Sequence, residues 1–325
     1  MSLRRIIKTV ALVAAVLLSG LLVWLWPDPY RIVRADFDRQ RWMAGLKERR
    51  ALIDGDRWVY AYNEDAPDDA PSVVMIHGFT GSKENWYPLA RRLRGRYRLY
   101  IPDLPGWGES SRKEGADYGF VAQSHRVAAF AEHIAHRRGR EVVLLGHSMG
   151  GGIVALTAAR YPFDIHRVGL FDAAGVRFKD NAFGEAVLAG KNPFAVNDRA
   201  SLRRYIDTVF YDPSTKPMIP WPIDGIYIDR RRRDAAFEQA VLSRIGRSEE
   251  RFMPGEEAAN IDQPTLLLWC RQDAVIDDSA LDLYAAKLPQ AQRVLLDGCG
   301  HMSVVERPDQ SADAVDQLIA KGQAR

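Results

Sequence analysis

Residues 141–156 read EVVLLGHSMGGGIVAL. Four apolar residues, Val142 to Leu145, run straight into Gly146, and from Gly150 onward the chain resumes as an apolar, helix-like stretch. Such a run is what a buried strand needs when it turns sharply into a helix. Within the corner, Gly146-His147-Ser148-Met149-Gly150 fits the pattern G-x-S-x-G. That pattern suits a serine held in a strained backbone conformation, its hydroxyl projecting, with glycines letting strand and helix approach without Cβ clashes. The bland alternative is a tight packing corner without chemistry, and the rest of the chain has to choose between them.

Outward from this corner the same unit repeats. RWVYAY (57–62), PSVVMIHG (71–78), YRLYIPDLPG (97–106), RVGLFDAAG (167–175), QPTLLLWCRQD (263–273) and QRVLLDGCGH (292–301) read as strands. Helical stretches lie between them: one after Asn85, then 120–138, 150–160, 279–287 and a closing helix. Strands alternating with helices of this length predict an α/β fold, a mostly parallel sheet with helices on both faces. The rhythm fails over 176–261, where prolines and scattered aromatics with no buried strand predict a helical insertion. The expected organisation is an N-terminal membrane helix over 1–26, a juxtamembrane amphipathic segment over 27–54, a core over 55–175 and 262–325, and the insertion over 176–261.

The membrane helix rests on Thr9 to Trp26, eighteen residues without a charge, preceded by Arg4, Arg5 and Lys8. Eighteen helical residues span roughly 27 Å, close to the hydrocarbon core of a bilayer. Trp24 and Trp26 suit its interface, and Pro27 and Pro29 stop the helix. A cleaved signal peptide is the competing reading, but its apolar region is usually shorter and Ser19-Gly20 is a weak cleavage site. Arginines 31, 34, 39 and 41 balance the basic residues ahead of the span, so the periplasmic and cytoplasmic faces both stay open for the globular part.

The 325 residues carry a net charge of only +3, and residues 1–50 alone hold ten basic and four acidic side chains. The rest is slightly acidic, which excludes the basic stripe of a nucleic-acid partner. Two cysteines, Cys270 and Cys299, make neither a disulfide framework nor a metal motif. They are expected as buried thiols, with a bridge the alternative because they end neighbouring strands.

A serine hydroxyl needs a base, and the base needs an orienting acid. In a strand-to-helix elbow these follow the serine in the order acid, then histidine. Asp273 closes LLLWCRQD and His301 closes VLLDGCGH, at successive strand ends and in that order. His125, His133, His136 and His166 have charged helical neighbours, His77 shapes the turn HGFTG, and His147 points away from Ser148. Asp172, one strand earlier, is the alternative acid, and Asp103 braces its own loop. Backbone N–H groups of Phe79 and Met149 are the expected oxyanion donors. No metal constellation, dinucleotide fingerprint or P-loop is present, so no cofactor is expected.

HGFTGSKENW, DLPGWGES, GHSMGG, RQD and GCGHMSVVERP resemble the successive motifs of the α/β-hydrolase superfamily, over about residues 57–310. With DAAGVRFKDNAF and the N-terminal helix, the chain resembles in particular the membrane-anchored monoacylglycerol lipases and related bacterial esterases and lipases. The resemblance implies an α/β-hydrolase fold with the insertion as a lid, a serine ester hydrolase needing no cofactor, and a small lipid ester as substrate. It assigns Ser148, Asp273 and His301 to the triad and Phe79 and Met149 to the oxyanion hole. Serine at the elbow excludes dehalogenase and epoxide-hydrolase chemistry; cofactor-free haloperoxidases, carbon–carbon bond hydrolases and a silent membrane-tethered binding protein remain alternatives. Within the insertion, PMIPWPIDGIYI groups Trp221, Ile223 and Tyr227 as candidate acyl-chain contacts, against the plainer reading of lid core. Arg230 to Arg233 read as headgroup contacts or a solvated helix face.

Overall fold

The computed structural model describes residues 2–138 and 141–321. Eight strands form one sheet: β1 (Lys47–Ile53), β2 (Asp56–Tyr62), β3 (Ser72–Ile76), β4 (Arg98–Pro102), β5 (Val142–His147), β6 (Ile165–Phe171), β7 (Thr265–Cys270) and β8 (Gln292–Leu296). Their order across the sheet is β1-β2-β4-β3-β5-β6-β7-β8. The β1/β2 and β2/β4 pairs are antiparallel and all the others parallel. Every residue of β3, β5 and β7 is buried, because helices cover both faces.

Side-chain alternation divides the core in two. Val74, Ile76, Leu144, Leu267 and Trp269 join the layer that holds the helices Phe120–Arg138, Met149–Arg160 and Ser279–Lys287. Val73, Met75, Val143, Leu145, Leu266 and Leu268 face the opposite layer, with Tyr87–Leu93 and Pro308–Lys321. The period of two along each strand sends neighbours to opposite faces, so one apolar run serves both layers.

One expectation changes at the N-terminal side. The helix Leu3–Leu25 includes a segment, Arg4–Leu25, long and apolar enough to cross a membrane, with none of it buried against the protein. A second helix, Arg31–Met43, follows it, but the amphipathic segment does not continue to residue 54. Lys47–Ile53 is instead a strand, pairing with β2 along its length from Lys47 opposite Tyr62 to Ile53 opposite Asp56. Asp54 and Gly55 close the hairpin with φ of 48° and 75°, the positive values that an Asp-Gly turn supplies between twisted strands. Arg49 and Arg50, adjacent in KERRALI, fall on opposite faces of the edge strand rather than lining a helix.

Between β6 and β7 the chain leaves the sheet and forms the helices Ala182–Leu188, Arg199–Val209 and Ile223–Arg247. Asn181 and Asp198 cap the first two by accepting from Gly184 N and Ser201 N. Arg231 is buried on the third helix, paired with Glu238 at 2.9 Å and donating to the Phe194 carbonyl. That burial removes it from the solvated face assigned to the arginine run, while Arg232 and Arg233 stay exposed.

The cysteines are not thiols. Cys270 and Cys299 are joined by a disulfide, with Cα atoms 5.3 Å apart. Cys270 ends β7 and Cys299 follows β8, so the parallel pairing of the two strands brings the sulfurs together.

Candidate active site

The strand β5 ends at His147 and the helix Met149–Arg160 begins one residue later. Ser148 alone makes the turn, at φ 57° and ψ −123°, a conformation sparsely populated by side chains other than glycine. It is fixed there by its amide, which donates to the Phe171 carbonyl at 2.9 Å. Glycine is required on both sides of this contact. A Cβ on Gly150 would collide with the carbonyls of Ile76 and His77, and one on Gly78 would stand 2.8 Å from the Ser148 Cβ.

The loops after β7 and β8 bring the acid and the imidazole to the serine. Ser148 Oγ lies 2.8 Å from His301 Nε2, and His301 Nδ1 lies 2.7 Å from Asp273 Oδ2. The other carboxylate oxygen, Asp273 Oδ1, accepts the amides of Val275 at 2.7 Å and Ile276 at 3.0 Å. All three side chains are buried. Burial pulls the imidazole of His301 down to about 3 and outweighs the opposing pull of Glu306, so the ring rests neutral. Burial likewise pushes the Asp273 carboxyl up, against the two amides that hold it down. Three donors converge on that carboxylate, the pattern that suits its ionised form. Such a line can take a proton from Oγ onto Nε2 while the carboxylate supports the imidazolium, the requirement of nucleophilic acyl transfer.

The other candidates fall into supporting places. Asp172 is fully buried, but it accepts the Cys270 amide and the Ser303 hydroxyl and does not face His301 Nδ1. His147 turns its ring behind the elbow and donates from Nε2 to the His301 carbonyl at 2.6 Å. His77 Nε2 accepts the Leu104 amide at 3.0 Å. Asp103 accepts the amides of Lys83 and Glu109 and pairs with the Lys83 ammonium at 2.9 Å, bracing two loops. Met149 is the first residue of its helix, where an N–H has no partner in the helix ladder. Among the described residues, the Phe79 amide has no acceptor either. Both residues border the same cavity as Ser148.

That cavity has a volume of about 270 Å³. Its walls are chiefly apolar: Phe79 and Met149 beside the serine, Val176, Phe178 and Phe183 after β6, Val187, Leu242 and Ile245 from the insertion, and Val275 and Ile276 next to Asp273. Trp221, Ile223 and Tyr227, expected as acyl contacts, are not among them. Trp221 is 78% exposed. Ile223 begins the helix Ile223–Arg247 away from the serine. Tyr227 packs with Val196, Leu202 and Ile228 in a small separate cluster and accepts from Arg231. The apolar spacing of that stretch reflects the insertion's own core.

One contributor escaped the sequence reading. Glu306 is 4% exposed. Its Oε2 accepts the Gly300 amide at 2.5 Å, next to His301, and its Oε1 accepts the amides of Tyr211 at 2.9 Å and Asp212 at 2.7 Å from the insertion. Arg307 repeats the link, donating to Asp212 and to the Gly298 carbonyl. The pair VVERP lay inside a recognised motif, but nothing local announces that a glutamate there ties two distant loops. Among the described residues no cluster of three or more His, Cys, Asp or Glu side chains could hold a metal ion.

Comparison with known proteins agrees with this geometry. A membrane phospholipase A, described as a bacterial virulence factor, superposes with a TM-score of 0.84 at 30% identity, covering 99% of this chain and 100% of its own. Lipase 1 of Psychrobacter immobilis is 32% identical over 81% of this chain and 80% of its own length. The monoacylglycerol lipase ABHD6 of Homo sapiens is 26% identical over 96% of this chain and 92% of its own. The model of the alpha/beta hydrolase family matches residues 73–314. With that match and an elbow serine in a hydrogen-bonded line with histidine and aspartate, the chain belongs to the alpha/beta hydrolase family, and its general activity is that of a serine hydrolase of the esterase type.

Proposed function

We propose that the protein is a membrane-anchored serine carboxylic-ester hydrolase that cleaves lipid esters one acyl group at a time. The observation that carries this reading is the position of Ser148, hydrogen-bonded to His301 at 2.8 Å and opening onto an apolar cavity of about 270 Å³. That volume lies just below the usual span of ligand pockets, roughly 300–1,000 Å³, and suits a single acyl chain. The relatives named as lipases, a monoacylglycerol lipase and a membrane phospholipase A support a glycerolipid as the alcohol side.

Ser148 Oγ attacks the ester carbonyl as His301 Nε2 takes its proton, and Asp273 stabilises the imidazolium. The amides of Phe79 and Met149 donate to the oxyanion. The C–O bond to the alcohol breaks, and the alcohol leaves with the proton from His301. Water attacks the acyl-serine through the same histidine, releasing fatty acid and restoring Oγ–H. An apolar N-terminal helix delivers this site to substrate partitioned in a bilayer, and the Cys270–Cys299 bridge favours the oxidising side of that membrane.

The test is a panel of monoacylglycerols, lysophospholipids and diacyl phospholipids of graded chain length, with the wild type and Ser148→Ala in detergent. Hydrolysis and fluorophosphonate labelling both vanish in the variant on this reading. Labelling that survives the substitution overturns the assignment of Ser148, and hydrolysis restricted to water-soluble esters overturns the lipid substrate.

A further inference from the structure

A second cavity, of about 440 Å³, lies away from the serine, between the juxtamembrane helix and the hydrolase core. Unlike the first it is lined mainly by charged side chains, Arg31, Arg50 and Arg230 among its cations and Asp38, Glu48, Glu84 and Glu109 among its acids, with Trp24 at its wall. Trp24 belongs to the last turn of the apolar helix Leu3–Leu25. A space bounded by that ring and by the catalytic domain therefore sits at the level where an anchored chain leaves the bilayer, among the headgroups.

The charges around it are not evenly committed. Lys83 is surrounded by Asp103 at 2.9 Å, Glu109 at 2.9 Å, Glu84 at 3.2 Å and Glu48 at 3.7 Å, and Arg41 pairs with both Asp38 and Glu48 at 2.7 Å. Five carboxylates share those two cations, and burial pushes Glu48 and Glu84 up, toward their neutral forms. Arg34 is paired with Asp28. By contrast, among the described residues neither Arg31 nor Arg50 has a carboxylate within 4.0 Å, although Arg50 acts on Glu48 and Glu109 and Arg31 on Asp28 from farther away, and Arg230 has only Asp234 at 3.7 Å. Arg31 is held in place without an acid: it donates to the Trp24 carbonyl at 2.7 Å and lies over the Trp24 ring. Arg230 stacks 4.6 Å over the ring of Tyr30. Two of the three guanidinium groups are thus oriented by aromatic rings, leaving N–H donors for an anion. Guanidinium donors suit phosphate oxygens in a way that a lone ammonium does not.

We infer that this cavity binds the phosphate of an anionic glycerophospholipid headgroup, with Arg31, Arg50 and Arg230 as its donors. The site is distinct from the ester-cleaving centre and rests on the membrane anchor, not on turnover. It gives the arginine at position 230 a role that neither a solvated helix face nor the buried Arg231 provides. It also fixes the catalytic domain against the membrane surface at a point other than the anchor itself.

The experiment uses full-length Ser148→Ala protein, so that no bound lipid is consumed. Detergent-solubilised protein is loaded with phosphatidylglycerol or phosphatidylcholine of the same acyl composition, and retained lipid is counted by native mass spectrometry. Phosphatidylglycerol is expected to be retained in preference. With each juxtamembrane cation contributing about five-fold, Arg31→Gln/Arg50→Gln lowers its affinity by roughly 25-fold. Arg293→Gln, a half-exposed arginine on β8 outside the cavity, leaves it unchanged. Equal retention of the two lipids overturns the inference, as does an undiminished double variant of unchanged melting temperature or an equal loss in Arg293→Gln. Displacement of phosphatidylglycerol by millimolar inorganic phosphate assigns the cavity to free anions and overturns the headgroup. A failure of ester hydrolysis in the wild type would leave all of these readouts intact.

Discussion

Removing the Cys270–Cys299 bridge, by Cys270→Ala/Cys299→Ala or by reduction, tests how far the site depends on the covalent link behind it. The half-cystines are separated by 29 residues. Closing a loop of about that length removes about 12 cal/mol/K from the unfolded chain, or about 3.6 kcal/mol at 25 °C. In a protein of this size, with about 2.1 cal/mol/K of unfolding entropy per residue, that corresponds to a drop in Tm of about 5 °C. The bridge does more than staple the sheet, because Asp273 lies three residues after Cys270 and His301 two residues after Cys299. Both loops that build the Asp273–His301 hydrogen bond of 2.7 Å start from the same disulfide.

Loss of the bridge should therefore reach kcat as well as Tm. A shift of about 1 Å between reacting groups costs on the order of 100-fold, so a fall in kcat of about 10- to 100-fold with little change in KM is expected. The assay pairs scanning calorimetry of the full-length protein in detergent with kcat and KM on a soluble short-chain ester, before and after reduction. A bridge-free protein that melts within about 2 °C of the parent refutes the entropic estimate. Unchanged kcat at a temperature where the variant stays folded refutes the coupling of bridge to site.

Burial lowers the His301 pKa from its ordinary value near 6.5, and protonated imidazole cannot accept from Ser148, so the acid limb of kcat/KM should lie below pH 6.5; a limb at or above that value contradicts the burial argument. His77 and His147 are buried neutral as well, lowered to about 4 and about 3. Their stabilisation is fully present above pH 6.5 and is lost as the pH falls toward those values, because the unfolded chain takes up protons there, so Tm should decline between pH 6.5 and 4. Glu306→Ala strips the Gly300, Tyr211 and Asp212 amides of their acceptor. Buried unpaired groups cost about 1–3 kcal/mol each, so Tm should fall, and kcat should fall more than KM rises while Glu306→Gln restores part of both. Val187→Trp fills the apolar cavity from the insertion side and should shorten the preferred acyl chain without lowering kcat on acetate esters, a shift read from the chain-length panel.

The parts of the molecule legible in the sequence are those decided by local pattern. β3, β5 and β7 each carry an unbroken apolar run, Val73–Ile76, Val142–Leu145 and Leu266–Cys270, so strand and parallel sheet follow from the residues alone. The elbow was legible for the same reason: a strand, a serine between glycines and a helix leave one backbone solution. KERRALI departs from the helical expectation because Arg49-Arg50 continues an arginine-rich stretch that a basic helix also tolerates, although Asp54-Gly55 marks the hairpin. The cysteine pairing needed a distance between two strand ends, and adjacency alone does not supply one. Trp221, Ile223 and Tyr227 carried the apolar signal of a binding wall, but burial in the insertion's own cluster or exposure to solvent satisfied it elsewhere. The actual wall draws Val176, Val187, Leu242 and Ile276 from segments up to a hundred residues apart, and no window of sequence joins them.

The same separation explains how substrate choice and chemistry are joined. The insertion supplies much of the cavity wall, whereas Asp273 and His301 come from loops of the sheet. Glu306 accepts from Gly300 on one side and from Tyr211 and Asp212 on the other, and Arg307 spans the same two loops. A displacement of the insertion at residues 211–212 must therefore break buried hydrogen bonds or drag the loop that carries His301. Opening of the insertion at residues 211–212 for a bulky ester then displaces the imidazole, which sets a limit on the size of ester that can be hydrolysed efficiently. The Glu306 and Arg307 contacts do not tie the helix Ala182–Leu188 to the His301 loop, but its cap Asn181 donates to the Ala274 and Val275 carbonyls at 3.3 Å, so moving it disturbs the Asp273 loop instead. Chain-length specificity can accordingly vary with side-chain size at Val187 while the helix stays in place and the chemistry constant, but not by displacement at residues 211–212.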